Sequence, residues 1–533
     1  MFQSYYLLPL LLPLLFLKGD FAQWLFKPLG RWLDAIGARP WRAVVFVGIA
    51  SLLVCAGLTL ATGVPVPKVE DEFGYLLQGD TFAHWRVTNP TPPFWEHFET
   101  LHEIMRPTYT AKFPPAQGVA LAAGQLLGLP IIGVWATAAL ACAAICWMLM
   151  AWAPTRWAIA GGLLAAFHPQ VIEWSQDYWG GAVAMGAGAL LIGAASRFAR
   201  APRVREAALL GLALAILANS RPFEGFVFSL LVLAVLSLWL IRMRPAPFPA
   251  AFSRLLLPLL AILALTGAQI GYYNWRVTGN PTLMPYILHE QTYGIPPPFI
   301  FENPRKEPAY RHPVIRDAYE YWLWTFDTQR GSPARLFWAT MRKLSILAKG
   351  YLWSGLMAAA LLGLPGALAQ NRSLWIPVGV GILFILALLI ETWILPHYAA
   401  PAAGLFFIVV IQSLAQLHRW RWGARPAGKN LVRGLAILCL ISFSLLGLKM
   451  RGADRTGWNY RRQAILNRLR QEPGKTLVIV RYPPHHNPNR EWVYNEADIE
   501  NAKVILARDM GPDENKAIID FMHDRKPLFL DAD

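Results

Sequence analysis

Long apolar runs recur along this 533-residue chain, and they constrain its fold more than any other feature. A run of about 18 or more residues with few charges predicts a membrane-spanning helix. Hydrophobic residues make up 55% of the sequence and charged residues only 15%. We predict about 11 spans, at residues 43–63, 131–152, 156–169, 179–196, 206–219, 223–241, 254–273, 346–368, 374–392, 398–416 and 431–449. The predicted fold class is therefore an all-α polytopic membrane protein.

Basic residues give the chain its net charge of +16, and many lie in short groups before or between apolar runs. The groups fall within residues 18–42, 197–205, 242–254 and 419–433. Short cytoplasmic loops carry an excess of Lys and Arg, so this pattern predicts membrane topology and argues against nucleic acid as a partner. It places loops 64–115 and 274–345 outside the inner (plasma) membrane. Segment 1–42 is predicted to be interfacial or cytoplasmic.

The chain changes character after the last predicted span. Residues 43–450 form the predicted transmembrane domain, and residues 451–533 are less apolar. Within this last part, KTLVIVRY and KPLFLDAD are typical of buried strands, and ENKAIIDFMHDR is typical of a helix. The sequence therefore predicts a small C-terminal α/β domain on the outer side of the membrane.

Three consecutive acids, Glu70, Asp71 and Glu72, follow the first predicted span. The loop that contains them has seven acids against four bases, although the whole chain is basic. The acids begin an amphipathic helix pattern that would place Leu77 and Gln78 on opposite faces. Carboxylates next to hydrocarbon are costly, so the cluster is either a solvated loop start or a functional site.

Other polar and ionisable residues stand beside predicted helix ends on the same side of the membrane. They are Glu173, Asp177, Asn219, Arg221, Glu224, His397 and Tyr398. Each alone is explained equally well as a functional residue or as a helix cap or snorkelling pair. Their convergence on one face favours a functional site at the outer interface.

Five stretches carry a resemblance when they are taken in chain order. They are VEDEFGYLLQGD, AKFPPAQGVALAAGQLLG, WSQDYWGGAVAMGAGAL, YYNWRVTGNPTLMPY and LPHYAAPAAGLFFIVV. They resemble, respectively, the Asp-Glu motif, the Lys-Pro-Pro segment, the acid before a span, the Thr-Gly-Asn-Pro stretch and the Arg-Tyr-x-x-Pro start of the GT-C glycosyltransferases. These polytopic enzymes include protein O-mannosyltransferases and the lipid A aminoarabinose and galacturonic acid transferases. The resemblance covers roughly residues 40–420, with Phe113 inserted after Lys112 and with His397 where arginine is usual.

The resemblance implies an inverting transferase that moves a sugar from a polyprenyl-phosphate donor to an envelope lipid, glycan or protein. A polyprenyl phosphate is a good leaving group, so the reaction needs one carboxylate base and cations for the phosphate. Asp71 would be the base, and Glu72 and Asp177 would orient the acceptor or bind a metal. Phosphate and substrate contacts are expected from Arg221, Lys112, Arg106, His397, Tyr398 and Glu173.

The second half of loop 274–345 is aromatic and basic. Its residues Trp322, Trp324, Phe326, Trp338, Arg335, Arg342, Lys343 and Lys349 suit either an ordinary interfacial belt or a site for lipid phosphates. The histidines His84, His97 and His102 match no recognised metal-ligand spacing. We therefore assign no metal, and a divalent cation stays an open alternative.

Two other function classes stay open, a carrier or flippase for a lipid-linked sugar and a non-enzymatic envelope scaffold. Carriers place ionisable groups near the middle of the bilayer. Here the predicted span interiors are almost free of charge, which favours an enzyme that works at the interface.

Overall fold

The computed structural model describes residues 4–243, 248–484 and 486–532. Many of its helices begin with proline at the first helical position, where the missing N–H costs no hydrogen bond. The helices up to residue 278 are α1 (Gln23–Gly37), α2 (Pro40–Thr62), α3 (Glu70–Ala83), α4 (Ala116–Leu126), α5 (Pro130–Leu149), α6 (Thr155–Ala166), α7 (Pro169–Ser175), α8 (Gly181–Arg200), α9 (Val204–Ala218), α10 (Pro222–Met243) and α11 (Phe248–Thr278). The later helices are α12 (Pro285–Tyr293), α13 (Pro313–Asp327), α14 (Pro333–Tyr351), α15 (Leu356–Ala360), α16 (Leu364–Gln370), α17 (Trp375–Leu388), α18 (Ala403–Arg419), α19 (Ala427–Arg451), α20 (Trp458–Gln471) and α21 (Pro512–Phe521).

Short strands and 3-10 helices complete the described structure. The strands are β1 (Glu103–Ile104), β2 (Thr110–Ala111), β3 (Lys475–Arg481), β4 (Val504–Arg508) and β5 (Arg525–Asp531). The 3-10 helices are Ser4–Leu15, Trp95–Phe98, Trp353–Gly355, Leu361–Gly363, Arg372–Leu374, Pro396–Ala402 and Pro488–Arg490.

Among the described residues, seven helices are long and apolar enough to cross a membrane. They are α2, α5, α8, α10, α11, α19, and α18 together with the 3-10 turn before it. An eighth span results if α14 and the bent segment Leu356–Gln370 count as one. The predicted spans all fall on helices, but α6, α9 and α17 have only 12, 15 and 14 residues. At 1.5 Å per residue, these are shorter than a hydrocarbon core of about 30 Å. The structure is a multi-pass helical membrane protein, and the count of eleven spans is not confirmed.

The helix bundle has two chemically different ends. The basic links lie at one end, which we call the inner end, where Arg200 donates to the carbonyl oxygen of Ala151. At the opposite end, which we call the outer end, the Thr59 hydroxyl donates to the side chain of Gln176 at 2.8 Å. This arrangement agrees with the predicted alternation of the spans. The assignment of the inner end to the cytoplasm stays a prediction from the positive-inside rule.

The N-terminal 3-10 helix packs along α19. Its Leu11 and Leu14 are buried in one apolar cluster with Leu435. Asn430 of α19 holds the following turn, because its side-chain oxygen accepts the Phe21 N–H at 2.8 Å. In contrast, α1 has no buried residue. The interfacial or cytoplasmic position of segment 1–42 stays a prediction.

An outer layer lies between α2 and α5 in the sequence and contains α3, α4 and the antiparallel pair β1–β2. Gln78 of α3 is fully buried, although its pattern predicted an exposed face. Its amide nitrogen donates to the Phe113 carbonyl at 2.8 Å and to the Tyr273 hydroxyl at 2.9 Å. These acceptors replace water, which is why this polar side chain is tolerated inside.

The C-terminal region contains a parallel sheet with the strand order β4-β3-β5. Val478 of β3 stands opposite Leu506 on one side and Leu528 on the other. Helix α21 makes the connection from β4 to β5, as parallel strands require. The predicted strands at β3 and β5 and the predicted helix are present, and β4 is a strand that the sequence analysis missed.

One face of this sheet is covered by the outer layer. Phe73 of α3 stacks on Tyr494 with ring centroids 4.2 Å apart. Ile479 of β3 belongs to the same apolar cluster as Phe98. The buried Arg508 donates to the Glu99 carbonyl at 2.6 Å. The chain becomes less apolar at the predicted boundary, residue 451. The C-terminal sheet nevertheless packs against loop 64–115.

Candidate active site

A cavity of about 960 Å³ lies at the outer end of the bundle, and we call it the outer cavity. Its walls come from α3, the β1–β2 hairpin, the start of α10, the turn before α18, and α12 to α14. A concave site with apolar walls and a few charged groups is the usual form of a substrate pocket. Its charged lining residues are Glu70, Asp71, Lys112, Arg221, Glu224, Glu290, Arg335, Arg342, Lys343 and Glu391.

Helix α3 directs its three leading acids differently. Acids are favoured in the first turn of a helix by its dipole, which explains why α3 begins there. Consecutive helical side chains point about 100° apart, so one surface cannot receive all three. Glu70 and Asp71 line the outer cavity, whereas Glu72 is buried behind it.

Asp71, the predicted base, faces the outer cavity. Its Oδ1 lies 3.9 Å from His102 Nε2, and its side chain is 31% exposed to the cavity space. Removal from bulk water raises the pKa of Asp71, and nearby Lys112 and Arg221 only partly offset this. Burial and the charge of Asp71 raise the pKa of Glu70 to about 7. A carboxylate with a raised pKa is a stronger base near neutral pH than one in water.

Lys112 reaches the cavity from the end of the β1–β2 hairpin, where its N–H donates to the His102 carbonyl at 3.1 Å. Its Nζ lies 3.3 Å from Glu290 Oε1 and 4.9 Å from the centre of the Tyr286 ring. Burial alone would raise the pKa of Glu290, but Lys112 and His289 outweigh it and lower that pKa to about 2. Lys112 is therefore already paired, and two of its three ammonium hydrogens remain for a ligand.

Arg221 lies in the short link between α9 and α10. Its NH1 lies 3.3 Å from Glu224 Oε1, on the first turn of α10. The guanidinium also lies 4.9 Å from the centre of the Tyr398 ring. Arginine carries five N–H donors in a planar fork, so this pairing leaves donors free for an oxyanion in the cavity.

His397 and Tyr398 enter the cavity wall from the 3-10 turn before α18. Glycine at position 188 of α8 allows that turn to approach, because a Cβ there would lie 1.8 Å from the Pro401 carbonyl oxygen. The His397 ring lies 4.9 Å from the Trp179 ring in an edge-on arrangement. The structure therefore brings both predicted residues to the outer cavity.

Glu72 and Asp177 form a separate buried acid pair outside the described cavity lining. Glu72 accepts the backbone N–H groups of Lys68 at 3.1 Å and Tyr178 at 3.3 Å. Asp177 accepts the N–H of Trp179 at 3.1 Å. Burial raises the pKa of both carboxyl groups, and the charge of Glu72 raises that of Asp177 further. The bond from Tyr178 to Glu72 ties loop 176–180 to α3. The predicted roles of Glu72 and Asp177 in orienting an acceptor or binding a metal stay predictions.

Two further predicted ligands lie away from the outer cavity. Arg106 is exposed, and its guanidinium lies over the Trp95 ring at 5.3 Å. Glu173 is also exposed, and it accepts a hydrogen bond from Gln170 at 3.1 Å. Neither residue is in the described lining of the outer cavity, and their substrate contacts stay predictions. Sequence spacing alone does not show which way a side chain points.

The structure adds cavity residues that the sequence analysis did not assign to the site. His102 has a positive φ of 64°, a strained conformation for a residue other than glycine. Its ring stacks on Trp322 with centroids 5.4 Å apart. Burial, with the nearby charge of Lys112, lowers the pKa of His102 well below its ordinary value, so the imidazole is neutral. Tyr286 and Glu290 come from α12, and no motif in its sequence indicated that it folds back over Lys112.

The aromatic and basic part of loop 274–345 divides in the structure. Trp322, Arg335, Trp338, Arg342 and Lys343 line the outer cavity. Trp324 is exposed and Phe326 is fully buried, and neither belongs to the described lining. Part of this segment therefore faces the cavity, where it could meet lipid phosphates, and Trp324 suits an interfacial belt. Arg335 and Arg342 on this wall are open to a ligand, because neither has an acidic partner within 4.0 Å among the described residues.

The histidines His84, His97 and His102 lie apart in the structure. His84 lies beside Asp80, with the nearest side-chain atoms 3.3 Å apart, and His97 is hydrogen-bonded to the Arg508 carbonyl at 2.9 Å. His102 lies in the cavity wall. In the part of the chain that the structure describes, no three His, Cys, Asp or Glu side chains come close enough to hold a metal ion. A divalent cation stays an open alternative.

Comparisons with known proteins give only a coarse likeness. No family model and no curated protein matches the sequence. The crystal structure of the Archaeoglobus fulgidus oligosaccharyltransferase complex with Zn and sulfate matches with 12% identity and a TM-score of 0.46, over 82% of this chain and 60% of that one. The structure of that enzyme tethered with an acceptor peptide matches with 13% identity and a TM-score of 0.43, over 85% and 63%.

A third similar structure is the archaeal oligosaccharyltransferase AglB from the same organism, in complex with an inhibitory peptide and a dolichol-phosphate. It matches with 11% identity and a TM-score of 0.41, over 85% of this chain and 64% of that one. The chain thus spans about three fifths of the length of these structures. A likeness at this level carries no argument about the function of this chain.

Proposed function

We propose that the chain is an inverting glycosyltransferase that moves a sugar from a polyprenyl-phosphate donor to an envelope lipid, glycan or protein. The reaction takes place in the outer cavity, at the outer face of the inner membrane. The observation that carries the proposal is the meeting of Asp71, Lys112 and Arg221 in one cavity, from three separate parts of the chain. From the sequence resemblance to GT-C enzymes, we expect a carboxylate and cations at these positions.

The proposed reaction is a single displacement. The acceptor oxygen forms a bond to the anomeric carbon while the bond from that carbon to the phosphate oxygen breaks. Polyprenyl phosphate leaves with the bonding electron pair, and Asp71 takes the proton of the acceptor hydroxyl. One displacement inverts the anomeric centre. A positioned base contributes roughly 10²–10⁴-fold in rate, and the raised pKa of Asp71 suits this role.

The donor phosphate needs cations that remain charged as the leaving group departs. Arg221 and Lys112 each keep N–H donors after pairing with Glu224 and Glu290. These acids hold the two cations in place and limit the net positive charge of the empty cavity. Arg342 and its neighbours on α14 offer a second group of cations along the same wall.

A carrier for a lipid-linked sugar is the rival function. Carriers bind their substrate near the middle of the bilayer. In this chain Arg221 precedes α10, Glu391 follows α17, and His397 stands at the start of the α18 span. These three cavity groups thus lie at helix ends, which supports an interfacial enzyme.

The test compares envelope glycans and glycolipids in a host strain that lacks the gene. The strain is complemented with wild type, with Asp71→Asn, or with Glu96→Gln at matched protein levels. Glu96 is an outer-layer acid outside the described cavity lining, so its variant controls for loss of charge. We expect one glycosylated product to vanish without the gene, and to return with wild type and Glu96→Gln only. Donor should accumulate whenever the product is absent.

Two outcomes would overturn the proposal. Full restoration of the product by Asp71→Asn would show that Asp71 is not the base. Loss of donor from the outer leaflet in the deletion strain, instead of its accumulation, would indicate a carrier.

A further inference from the structure

A second cavity, of about 700 Å³, lies at the inner end of the bundle between α8, α10 and α17. We call it the inner groove. It lies at the opposite end of these helices from Asp71, Lys112 and Arg221, so it belongs to a different site. Nothing in the proposed transfer reaction uses it.

The inner groove is long and apolar over most of its length. It follows α10 from Val232 to Arg242, which at 1.5 Å per residue is about 15 Å. Ile192 of α8 and Val380 of α17 line its deep part. Leu238 on its wall is 55% exposed, so the groove is open to the surrounding bilayer. A groove of this length and polarity matches a hydrocarbon chain.

The other end of the inner groove is polar and cationic. Arg200 and Arg242 lie there, close to Asn371 at the start of the segment that leads into α17. Trp239 also lines the groove, and tryptophan is favoured at the membrane–water interface. The polar end therefore lies at headgroup level.

The two arginines have unused capacity for an anion. Arg200 donates to the Ala151 carbonyl and keeps further N–H donors. No Asp or Glu is among the described residues that line the inner groove beside them. Planar guanidinium groups bind phosphate oxygens in a bidentate manner.

We propose that the inner groove binds one anionic phospholipid from the leaflet at the inner end. Its phosphate lies between Arg200 and Arg242, and one acyl chain lies along α10 toward Val232. A soluble anion would leave the apolar part empty, and an uncharged lipid would leave the arginines without a partner. The combination of both features selects a lipid that carries a negative headgroup.

This lipid would join helices that also hold the outer cavity. Helix α8 begins just after Trp179, α10 just after Arg221, and α17 ends just before Glu391. A ligand that binds only the folded bundle stabilises it by mass action. Lipid binding should therefore raise the unfolding temperature of the whole protein, whether or not the chain is a glycosyltransferase.

The test uses the full chain, purified and stripped of lipid in a nonionic detergent. Phosphatidylglycerol and phosphatidylcholine with identical acyl chains are titrated separately, and thermal unfolding and native mass spectrometry report binding. We expect phosphatidylglycerol to bind in a saturable way and to raise the unfolding temperature more than phosphatidylcholine. An interfacial arginine is worth about 1 kcal/mol toward anionic lipid, so Arg242→Gln should weaken apparent affinity about fivefold.

Three controls separate this site from general lipid attraction. Arg205→Gln removes an exposed inner-end arginine outside the described groove lining and should leave affinity unchanged. Ala195→Phe fills the groove while it keeps both arginines, and it should abolish saturable binding. Glycerol phosphate, a headgroup without chains, should give no shift.

Equal effects of both lipids would overturn the proposal, and so would an equal loss of affinity in Arg205→Gln and Arg242→Gln. A saturable shift with glycerol phosphate would show an anion site without a lipid. If Arg242→Gln does not fold, undiminished binding in Ala195→Phe would still refute the groove. These readouts measure binding, so they are independent of any test of sugar transfer.

Discussion

The outer cavity and the inner groove lie at opposite ends of α8, α10 and α17, but their charges are arranged differently. In the outer cavity the main cations have acidic partners, with Lys112 and Arg221 each 3.3 Å from a carboxylate. In the inner groove, no Asp or Glu is among the described lining residues beside Arg200 and Arg242. Cations that are paired with carboxylates can bind a reacting phosphate while a carboxylate base stays close by. Unpaired cations can bind an anion, but they cannot take its proton.

Helix direction contributes to this difference. The outer ends of α8 and α10 are their N-termini, and the inner ends are their C-termini. Cations are favoured near a helix C-terminus, so Arg200 and Arg242 are stabilised there without a carboxylate. At the outer end, Glu224 lies in the first turn of α10, where an acid is favoured.

The largest expected effect is on the base of the outer cavity. Asp71→Asn should lower the rate of sugar transfer by roughly 10²–10⁴-fold, because the amide cannot take a proton. It should not lower the unfolding temperature, because burial raises the pKa of Asp71 and so disfavours its charged form in the fold. The rate of product formation checks the loss of activity, and thermal unfolding of the same preparation checks the stability. A rate within tenfold of wild type would remove Asp71 from the chemistry.

The next largest effect concerns the pairing that distinguishes the two sites. Glu290→Gln should lower the free energy of unfolding by about 3 kcal/mol, because it leaves Lys112 buried without its partner. The pKa of Glu290 is lowered to about 2 from an ordinary 4.5. Its stabilisation is therefore present above pH 4.5 and is lost as the pH falls toward 2.

Unfolding of wild type and variant at neutral and acidic pH tests this expectation, and their difference should shrink in acid. Glu307→Gln is the matched control, since Glu307 is 46% exposed and pairs with Arg316 at 3.0 Å. A surface pair is worth about 0–1 kcal/mol. Equal effects of the two variants would contradict a buried ion pair at Glu290.

The pH dependence of transfer gives a third test of the outer cavity. The base form of Asp71 is lost as the pH falls, and its pKa is raised, so the acid limb should lie above the ordinary value of about 3.9. Lys112 lowers the pKa of Asp71, so Lys112→Met should move the limb to higher pH. A pH–rate profile measures this shift separately from the loss of rate. A limb that moves to lower pH would contradict the assignment.

The smallest expected effect tests how far the outer cavity extends. Arg342→Gln should slow transfer about fivefold if α14 contributes one phosphate contact worth about 1 kcal/mol. Arg106→Gln should change neither rate nor stability, because Arg106 is exposed and outside the cavity. Rates at low donor concentration compare the two variants directly. A larger effect at Arg106 than at Arg342 would restore the prediction made from sequence.

Much of the membrane architecture was predictable, because apolar length is a local property of the chain. The predicted spans fall on helices, and the basic links lie together at the inner end. The number of crossings was not predictable, because α6 and α9 are apolar but short. Whether such a helix crosses depends on its neighbours and not on its own composition.

The candidate site was predictable in part. Asp71, Lys112, Arg221, His397 and Tyr398 line one cavity. Their chemical roles stay predictions. Glu72, Asp177, Glu173 and Arg106 lie outside its described lining. Adjacent acids on one helix differ by about 100° in direction, so a motif locates the turn without showing which member faces the substrate.

The sequence by itself determined that this chain is a polytopic membrane protein with a polar outer face, because hydrophobic length and charge position are read residue by residue. It also located the segments of the chain that bring acidic and basic side chains to that face. Tertiary structure alone decided that Glu290 pairs with Lys112, that Asp71 and not Glu72 faces the cavity, and that a cationic groove lies at the inner end. These features depend on helix phase and on contacts between distant segments, which only the packed chain defines.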